Sequence, residues 1–139
     1  MSKKIFEIIQ KGDVKSIEQA LSSGSVDFNE KQFGKFGRTP LIMAIELNNK
    51  DIVRLLLQYG AEVNVLNASG YNVPLIIAAG KGNLEIVRIL CEKNADINIK
   101  DNSGQTALML AASNGYIDIV KFLCEKNADI NIKDNSGQT

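Results

Sequence analysis

The 139-residue sequence has no histidine, no net charge and no long apolar run. Histidine is the commonest general base in enzymes, so its absence argues against nucleophilic catalysis. The 16 basic residues balance the 16 acidic ones, which leaves no overall field to attract nucleic acid or an anionic membrane. No apolar stretch approaches the length that crosses a bilayer. These absences predict a chain that is not an enzyme and whose partner is neither nucleic acid nor membrane.

The opening of the chain is basic and apolar, as in a signal peptide. Glu7 and Gln10 interrupt the apolar stretch before it is long enough, and Gly12 and Asp13 follow directly. We therefore interpret this segment as a first helix and predict a cytoplasmic protein.

The chain has only two cysteines, Cys91 and Cys124, which lie 33 residues apart and begin identical stretches of sequence. If that spacing is a structural repeat, they occupy equivalent places in adjacent units, about 10 Å apart as packed helices are. A disulfide requires Cα atoms within about 7 Å. We expect both to be small buried apolar residues with inert thiols, in a reducing compartment.

What the chain does contain is a repeat of 33 or 34 residues. Residues 91–106 recur unchanged at 124–139. Looser copies extend towards the N-terminus, and each includes a Leu-x-x-Ala core: Leu41–Ala44, Leu75–Ala78 and Leu108–Ala111. A period of this length is the signature of a stacked repeat architecture.

Each unit has the local signals of two short antiparallel helices. Thr39 followed by Pro40 is typical of a capped helix start, and Thr106 can cap in the same way. Residues that tolerate positive φ recur at the two helix ends of each unit: Asn48, Gly82 and Gly115, then Gly60, Asn94 and Asn127. A pair of this size cannot bury its own apolar stripe, so stability must come from contacts between stacked neighbours.

These motifs resemble the ankyrin repeat over nearly the whole chain, with four helix pairs and a final hairpin segment. The family's Thr-Pro-Leu-His opening is present as Thr39-Pro40-Leu41-Ile42. The resemblance implies an all-α repeat solenoid of stacked antiparallel helix pairs joined by β-hairpin-like loops. Residues 1–139 would form one domain, with units at 1–36 (a divergent capping pair), 37–69, 70–103, 104–136 and a truncated start at 137–139. The hydrogen bond that the family's histidine makes between repeats must be absent or replaced.

The resemblance also implies a partner-binding surface, formed by the hairpin fingers and the concave face of the short first helices. Carried over residue by residue, it comprises Lys35, Phe36, Arg38, Glu46, Leu47, Ala68, Ser69, Tyr71, Gly80, Lys81, Asn102, Ser103, Gln105, Ser113 and Asn114, with Gln10 and Lys11 in the divergent first unit. Phe36, Arg38 and Tyr71 are the expected hot spot, because aromatic and arginine side chains dominate binding energies. The other interpretation of these aromatic residues is that they pack against their own loops.

Two motifs that suggest chemistry have simpler interpretations. Gly80-Lys81-Gly82 lacks the length and ending of a phosphate-binding loop and is interpreted as a helix end. Asp96, Asn98 and Asp101 suggest calcium ligands, but the central glycine and distal glutamate of a calcium loop are missing, so we predict a hairpin turn. We predict no catalytic residue, no metal and no cofactor.

The sequence thus predicts a module that binds a protein partner. One alternative is a recognition or regulatory segment of a larger enzyme or effector, because residues 137–139 match 104–106, where a further helix begins. A second alternative is self-association as a weak homodimer through an uncapped C-terminal end.

Overall fold

A computed structural model describes residues 3–24, 39–64 and 73–126. Within these ranges the chain forms eight α-helices and no strand: α1 (Lys3–Lys11), α2 (Val14–Ser22), α3 (Pro40–Glu46), α4 (Lys50–Gln58), α5 (Pro74–Gly80), α6 (Leu84–Glu92), α7 (Ala107–Ser113) and α8 (Ile117–Glu125). None of these helices is long and apolar enough to cross a membrane.

The helices form four antiparallel pairs that stack in two layers. α1, α3, α5 and α7 pack in sequence as the first layer, and α2, α4, α6 and α8 pack in the same order as the second. Small side chains at one repeated position let the first-layer helices approach closely, since Ala44, Ala78 and Ala111 are all fully buried. One apolar core runs through all four pairs. The predicted all-α solenoid of helix pairs is confirmed.

The predicted caps begin the short helices α3 and α7. Thr39 Oγ1 accepts from the backbone N–H of Ile42, and Thr106 Oγ1 accepts from that of Met109, both at 3.3 Å. Each bond satisfies a first-turn N–H that has no partner within its own helix. Val73 stands at the same place before α5 and provides no side-chain bond.

Three of the second-layer helices begin at a residue whose side-chain oxygen caps the first turn. Asn49 caps α4, Asn83 caps α6, and Asp13 caps α2 by accepting from both the N–H and the hydroxyl of Ser16. These bonds from Ser16 hold the pKa of the Asp13 carboxyl below its usual range. Tyr116 precedes α8 without a capping bond from its side chain.

The turn inside each pair has the left-handed residue that the sequence predicts. The backbone φ is +57° at Asn48, +76° at Gly82 and +75° at Gly115, and Gly12 matches them in the first pair at +74°. Because the same turn geometry recurs, each short helix meets its partner in the same way.

Contacts between successive turns fix the register of the stack. A Cβ atom built on Gly12 would lie 3.7 Å from Asn49 Nδ2, which places the first two turns side by side. Asn83 Nδ2 donates to Asn48 Oδ1 at 3.3 Å, and the ring of Tyr116 covers Gly82. Each turn therefore lies beside the equivalent turn of the next pair.

Apolar packing occupies the position of the family's histidine. Ile42 is fully buried, Ile76 is 4% exposed and Met109 is partly buried. Apolar side chains therefore stand at the three described positions where the family has the histidine that bonds between repeats.

One hairpin finger lies in the described part of the chain, between α6 and α7. Asp101 N–H donates to the Gln105 carbonyl at 2.9 Å, and Asp101 Oδ1 accepts from Ser103 N (2.8 Å) and Gln105 N (3.0 Å). Gly104 completes the turn with a φ of +78°. The prediction that Asp101 belongs to a hairpin turn is confirmed.

The prediction of two buried cysteines is wrong. Both thiols are free, as expected, but Cys91 is only partly buried and Cys124 is exposed. The equivalent residue of the second pair, Leu57, is 7% exposed. Burial at this position depends on the following pair, and no later pair follows α8 within the described residues.

Candidate functional site

The solvent-facing positions of the short helices form a regular array, which we call the short-helix face. At the C-terminal end of each helix, with the C-cap residue of α3, α5 and α7 included, three positions spaced i, i+3 and i+4 share one side. From the first pair to the fourth they are Glu7, Gln10 and Lys11, then Met43, Glu46 and Leu47, then Ile77, Gly80 and Lys81, and finally Leu110, Ser113 and Asn114. Because the four helices pack side by side, these twelve positions make one continuous surface.

The first column of this surface is apolar in three successive pairs. Met43, Ile77 and Leu110 are each partly exposed and pack against the core from outside. Sequence comparison with the family missed them, because a position that stays apolar in several repeats resembles core. Each of them precedes two predicted contact positions by three and four residues, and residues with that spacing lie on the same side of a helix. That spacing was the signal that could have identified them.

The other two columns differ from pair to pair. Leu47 is 48% exposed, Lys81, Ser113 and Asn114 are exposed, and Glu46 is partly exposed. Gly80 has no side chain, and a Cβ atom there would lie 3.7 Å from Leu110 Cδ1. The structure therefore places the predicted short-helix residues together on one accessible face.

The first pair contributes a polar end to the short-helix face. Glu7, Gln10 and Lys11 are all exposed, while Ile5 and Ile9 on the same helix are fully buried. This places Gln10 and Lys11, which align only weakly with the family, in line with Glu46 and Leu47. Glu7 was missed by the sequence comparison.

The predicted finger residues are described for one finger only. Asn102 and Ser103 lie exposed at its tip, and Gln105, whose backbone bonds to Asp101, is partly buried. The remaining predicted contacts lie outside the described residues: Lys35, Phe36, Arg38, Ala68, Ser69 and Tyr71.

The second-layer helices present a charged outer face. Glu85 lies between Lys50 (3.0 Å) and Arg54 (3.4 Å), which lower the pKa of its carboxyl, the Lys50 hydrogen bond most strongly. Arg88 lies over the Phe122 ring, 5.4 Å from its centroid. Glu85, Arg88 and Glu92 are all exposed, so this outer face is in contact with solvent.

The two motifs that suggested chemistry form a helix end and a set of hydrogen bonds to the backbone. Gly80 ends α5, Lys81 is its C-cap and Gly82 has positive φ, so this segment is the predicted helix end. Asp96 Oδ1 accepts from Asn98 N at 3.1 Å, and Asp96 N donates to Asn64 Oδ1 of the preceding unit at 2.8 Å. Among the described residues, no group of three potential ligands is placed to hold a metal ion.

We predict that Cys124 reacts with Ellman's reagent several-fold faster than Cys91 near pH 8. The thiolate is the reactive form, and burial raises the pKa of the Cys91 thiol, whereas Cys124 is exposed. Because the thiolate fraction of Cys91 grows as pH rises towards its raised pKa, the difference in rate should narrow at higher pH. The release of thionitrobenzoate should show two phases, of which Cys124→Ser removes the fast one. Loss of the slow phase instead would contradict the burial assigned to Cys91.

Comparison with known proteins agrees with this geometry. The model described as "Ankyrin repeats (3 copies)" matches residues 66–134, and the single "Ankyrin repeat" model matches residues 36–68. Ankyrin repeat domain-containing protein 13C-A of Xenopus laevis is 35% identical over 68 residues, which are 49% of this chain and 12% of that protein.

Two Notch-regulated ankyrin repeat-containing proteins are also similar. The Homo sapiens protein is 32% identical over 73 residues, 51% of this chain and 64% of its own length. The Xenopus tropicalis protein is 32% identical over 67 residues, 48% of this chain and 59% of its own length. The match thus spans less than two thirds of each of these relatives.

The family models together cover residues 36–134, which include three of the four helix pairs and the described finger. The same residues form the stacked pairs, the recurring left-handed turns and the capped short helices. The chain belongs to the ankyrin repeat family.

Proposed function

We propose that this chain is a non-catalytic module that binds a protein partner through its hairpin fingers and the short-helix face, the concave face of the family. Ankyrin repeats are in general protein-interaction modules. One observation supports the proposal most directly: a constant core supports a face whose outer positions change from unit to unit. At one position the residues are Glu46, Gly80 and Ser113, and at the next they are Leu47, Lys81 and Asn114.

This pattern is typical of recognition because stability and binding use different residues. Leu41 and Leu75 lie at one position and are both 1% exposed, and Ile52 and Ile86 are fully buried. Packing alone explains why those positions stay apolar. Packing does not explain a face that offers acid, base, amide, hydroxyl and aliphatic side chains beside a partly exposed apolar floor. Such a mixture of polar and apolar groups suits a specific protein contact.

The test blocks the face without assuming the partner's chemistry. Ser113→Trp places a large ring on the short-helix face, and Lys121→Trp places the same ring on the exposed outer side of α8 in the same unit. Partners recovered from an extract of the source cells are identified by mass spectrometry and titrated by calorimetry. We expect Ser113→Trp to weaken binding about tenfold or more, or about 1.4 kcal/mol, and Lys121→Trp to leave it unchanged.

Thermal unfolding is the control for this test. Thermal unfolding should be nearly the same for both variants, since both positions are exposed. A partner whose affinity falls only with Lys121→Trp would show that the binding site lies on the outer face and would reject the proposal.

The predicted hot spot of Phe36, Arg38 and Tyr71 is examined in the same assay with an alanine triple variant.

A second candidate function is a recognition segment within a longer enzyme or effector. The observation that favours it is the small share of some relatives that matches, 12% of ankyrin repeat domain-containing protein 13C-A. The mass of the native gene product distinguishes this candidate from a free-standing module.

We also propose weak self-association through the last described pair. Val120 and Leu108 are partly exposed there, although the equivalent Val87 and Leu75 are 0% and 1% exposed. Exposed apolar surface of this kind favours association. Light scattering should show a mass that rises with concentration, and a constant monomer mass would reject the idea.

A further inference from the structure

The last of the three columns of the short-helix face has an apolar side chain between two basic ones. Lys11, Leu47 and Lys81 are the last of the three positions on α1, α3 and α5. Each directly precedes the left-handed residue of its turn, and those turns lie side by side through the contact of Gly12 with Asn49 and the bond between Asn48 and Asn83. We call this the Lys11–Leu47–Lys81 row.

The two lysines of the row are available for an external anion. Both are exposed, and neither makes an ion pair within 4.0 Å in the described part of the chain. Glu7 lies one turn before Lys11, yet no ion pair joins them. Lys50, by contrast, is already paired with Glu85 on the outer face.

The middle member of the row is apolar and accessible. Leu47 is 48% exposed, and Ile117 is the other large apolar side chain that is exposed in the described residues. Leu47 shares its face with partly exposed Met43, one turn earlier on α3. The member of the row between the two cations is therefore apolar, and the neighbouring position of the same face is the carboxylate Glu46. A polyanion with charge at every step would not match this surface.

We propose that the partner is an extended protein segment that places an apolar side chain on Leu47 and an acidic side chain on each of Lys11 and Lys81. This rests on the proposed function and specifies its partner. Neighbouring packed helices lie about 10 Å apart, so the two lysines are separated by about 20 Å. A polyproline II segment advances about 3.1 Å per residue and presents every third side chain on the same side. This places the two acidic residues about six positions apart, with the apolar residue midway and all three on the side that faces the protein.

The experiment uses random dodecapeptides displayed on phage and selected on the full chain, followed by synthesis of the enriched peptides. We expect enriched sequences with two acidic residues about six apart and an apolar residue between them. Surface ion pairs contribute modestly, so Lys11→Glu and Lys81→Glu should each weaken these peptides about fivefold, and 0.5 M salt should do the same. Leu47→Ser should abolish the enrichment. Lys121→Glu, an equal change of charge on the outer face, should have no effect.

The proposal is overturned if no peptide family is enriched or if the enriched peptides have no acidic excess. It is also overturned if they bind the Lys11→Glu, Lys81→Glu and Lys121→Glu variants equally. If any of these outcomes is found while Ser113→Trp still blocks the cellular partner, the peptide proposal fails and the proposed function stands. If Ser113→Trp fails to block that partner while the peptides behave as predicted, the proposed function fails by itself.

Discussion

Replacing Leu90 by alanine should lower the free energy of unfolding by about 3 kcal/mol, within the usual range for a buried leucine. Leu90 is fully buried on α6, whose neighbours are α4, α5 and α8. Stacked pairs are stabilised through their neighbours, so a cavity in a central pair weakens several interfaces together. A small domain is stable by about 5–15 kcal/mol, and this change removes a large part of that. Chemical denaturation followed by circular dichroism measures it.

Leu84→Ala on the same helix is the matched control. It deletes the same atoms from a side chain that is only partly buried at the start of α6, so we expect a loss of about 1 kcal/mol. Equal losses at the two positions would show that the α6 surface facing the stack is not the core of this chain.

Replacing Gly82 by alanine should cost about 2–3 kcal/mol, for two separable reasons. An alanine at a φ of +76° adopts a left-handed conformation that costs about 1–2 kcal/mol. In addition, the new Cβ would lie 2.8 Å from Cζ and 2.9 Å from Cε1 of the Tyr116 ring, so the ring must move and lose its contact with the preceding turn. Overpacking of this kind adds about 1 kcal/mol or more.

Gly115→Ala separates the two causes. Its φ is +75° and nothing lies within 4 Å of the position of its Cβ, so it incurs only the conformational cost. The excess at Gly82 should disappear when Tyr116 is replaced by Asn, the residue that Asn49 and Asn83 provide at the equivalent cap. A double-mutant cycle should therefore give a coupling energy of about 1 kcal/mol between Gly82 and Tyr116. A coupling near zero would mean that the ring does not lie on the glycine.

Local signals predicted the helix ends because each depends on a few neighbouring residues. The caps at Thr39 and Thr106 and the left-handed turns at Asn48, Gly82 and Gly115 all follow from the chemistry of single side chains. Their recurrence every 33 or 34 residues then predicted the stack, since a lone pair cannot bury its apolar stripe.

Contacts between units could not be predicted in the same way. Cys91 and Cys124 begin the same 16-residue sequence, yet one is partly buried and the other is exposed, because exposure depends on what packs against each helix. The ring of Tyr116 packs on Gly82, 34 positions earlier in the chain. Tyr116 stands at the N-cap position of α8 but makes this contact instead of a capping hydrogen bond, and no local pattern indicates that.

The candidate site was partly predictable. Alignment to the repeat placed Glu46, Leu47, Lys81, Ser113 and Asn114 on one face, and the structure brings them together there. The partly exposed apolar floor was missed, because a sequence does not separate a half-covered aliphatic residue from a buried one. Ion pairs between helices could not be predicted either, because they depend on which side chains meet when the helices pack. Glu85 on the outer side, for example, pairs with Lys50 and Arg54 of the preceding unit.

Nuclear Overhauser contacts between successive turns test the stacked-pair account most directly. The account predicts cross-peaks from the Tyr116 ring to the Gly82 Hα protons, which should also be displaced by the ring current. It further predicts contacts between the side-chain amides of Asn48 and Asn83, and between Asn64 and the amide of Asp96, pairs separated by 32–35 residues. Random-coil shifts for Gly82, with cross-peaks absent at these separations, would contradict the account.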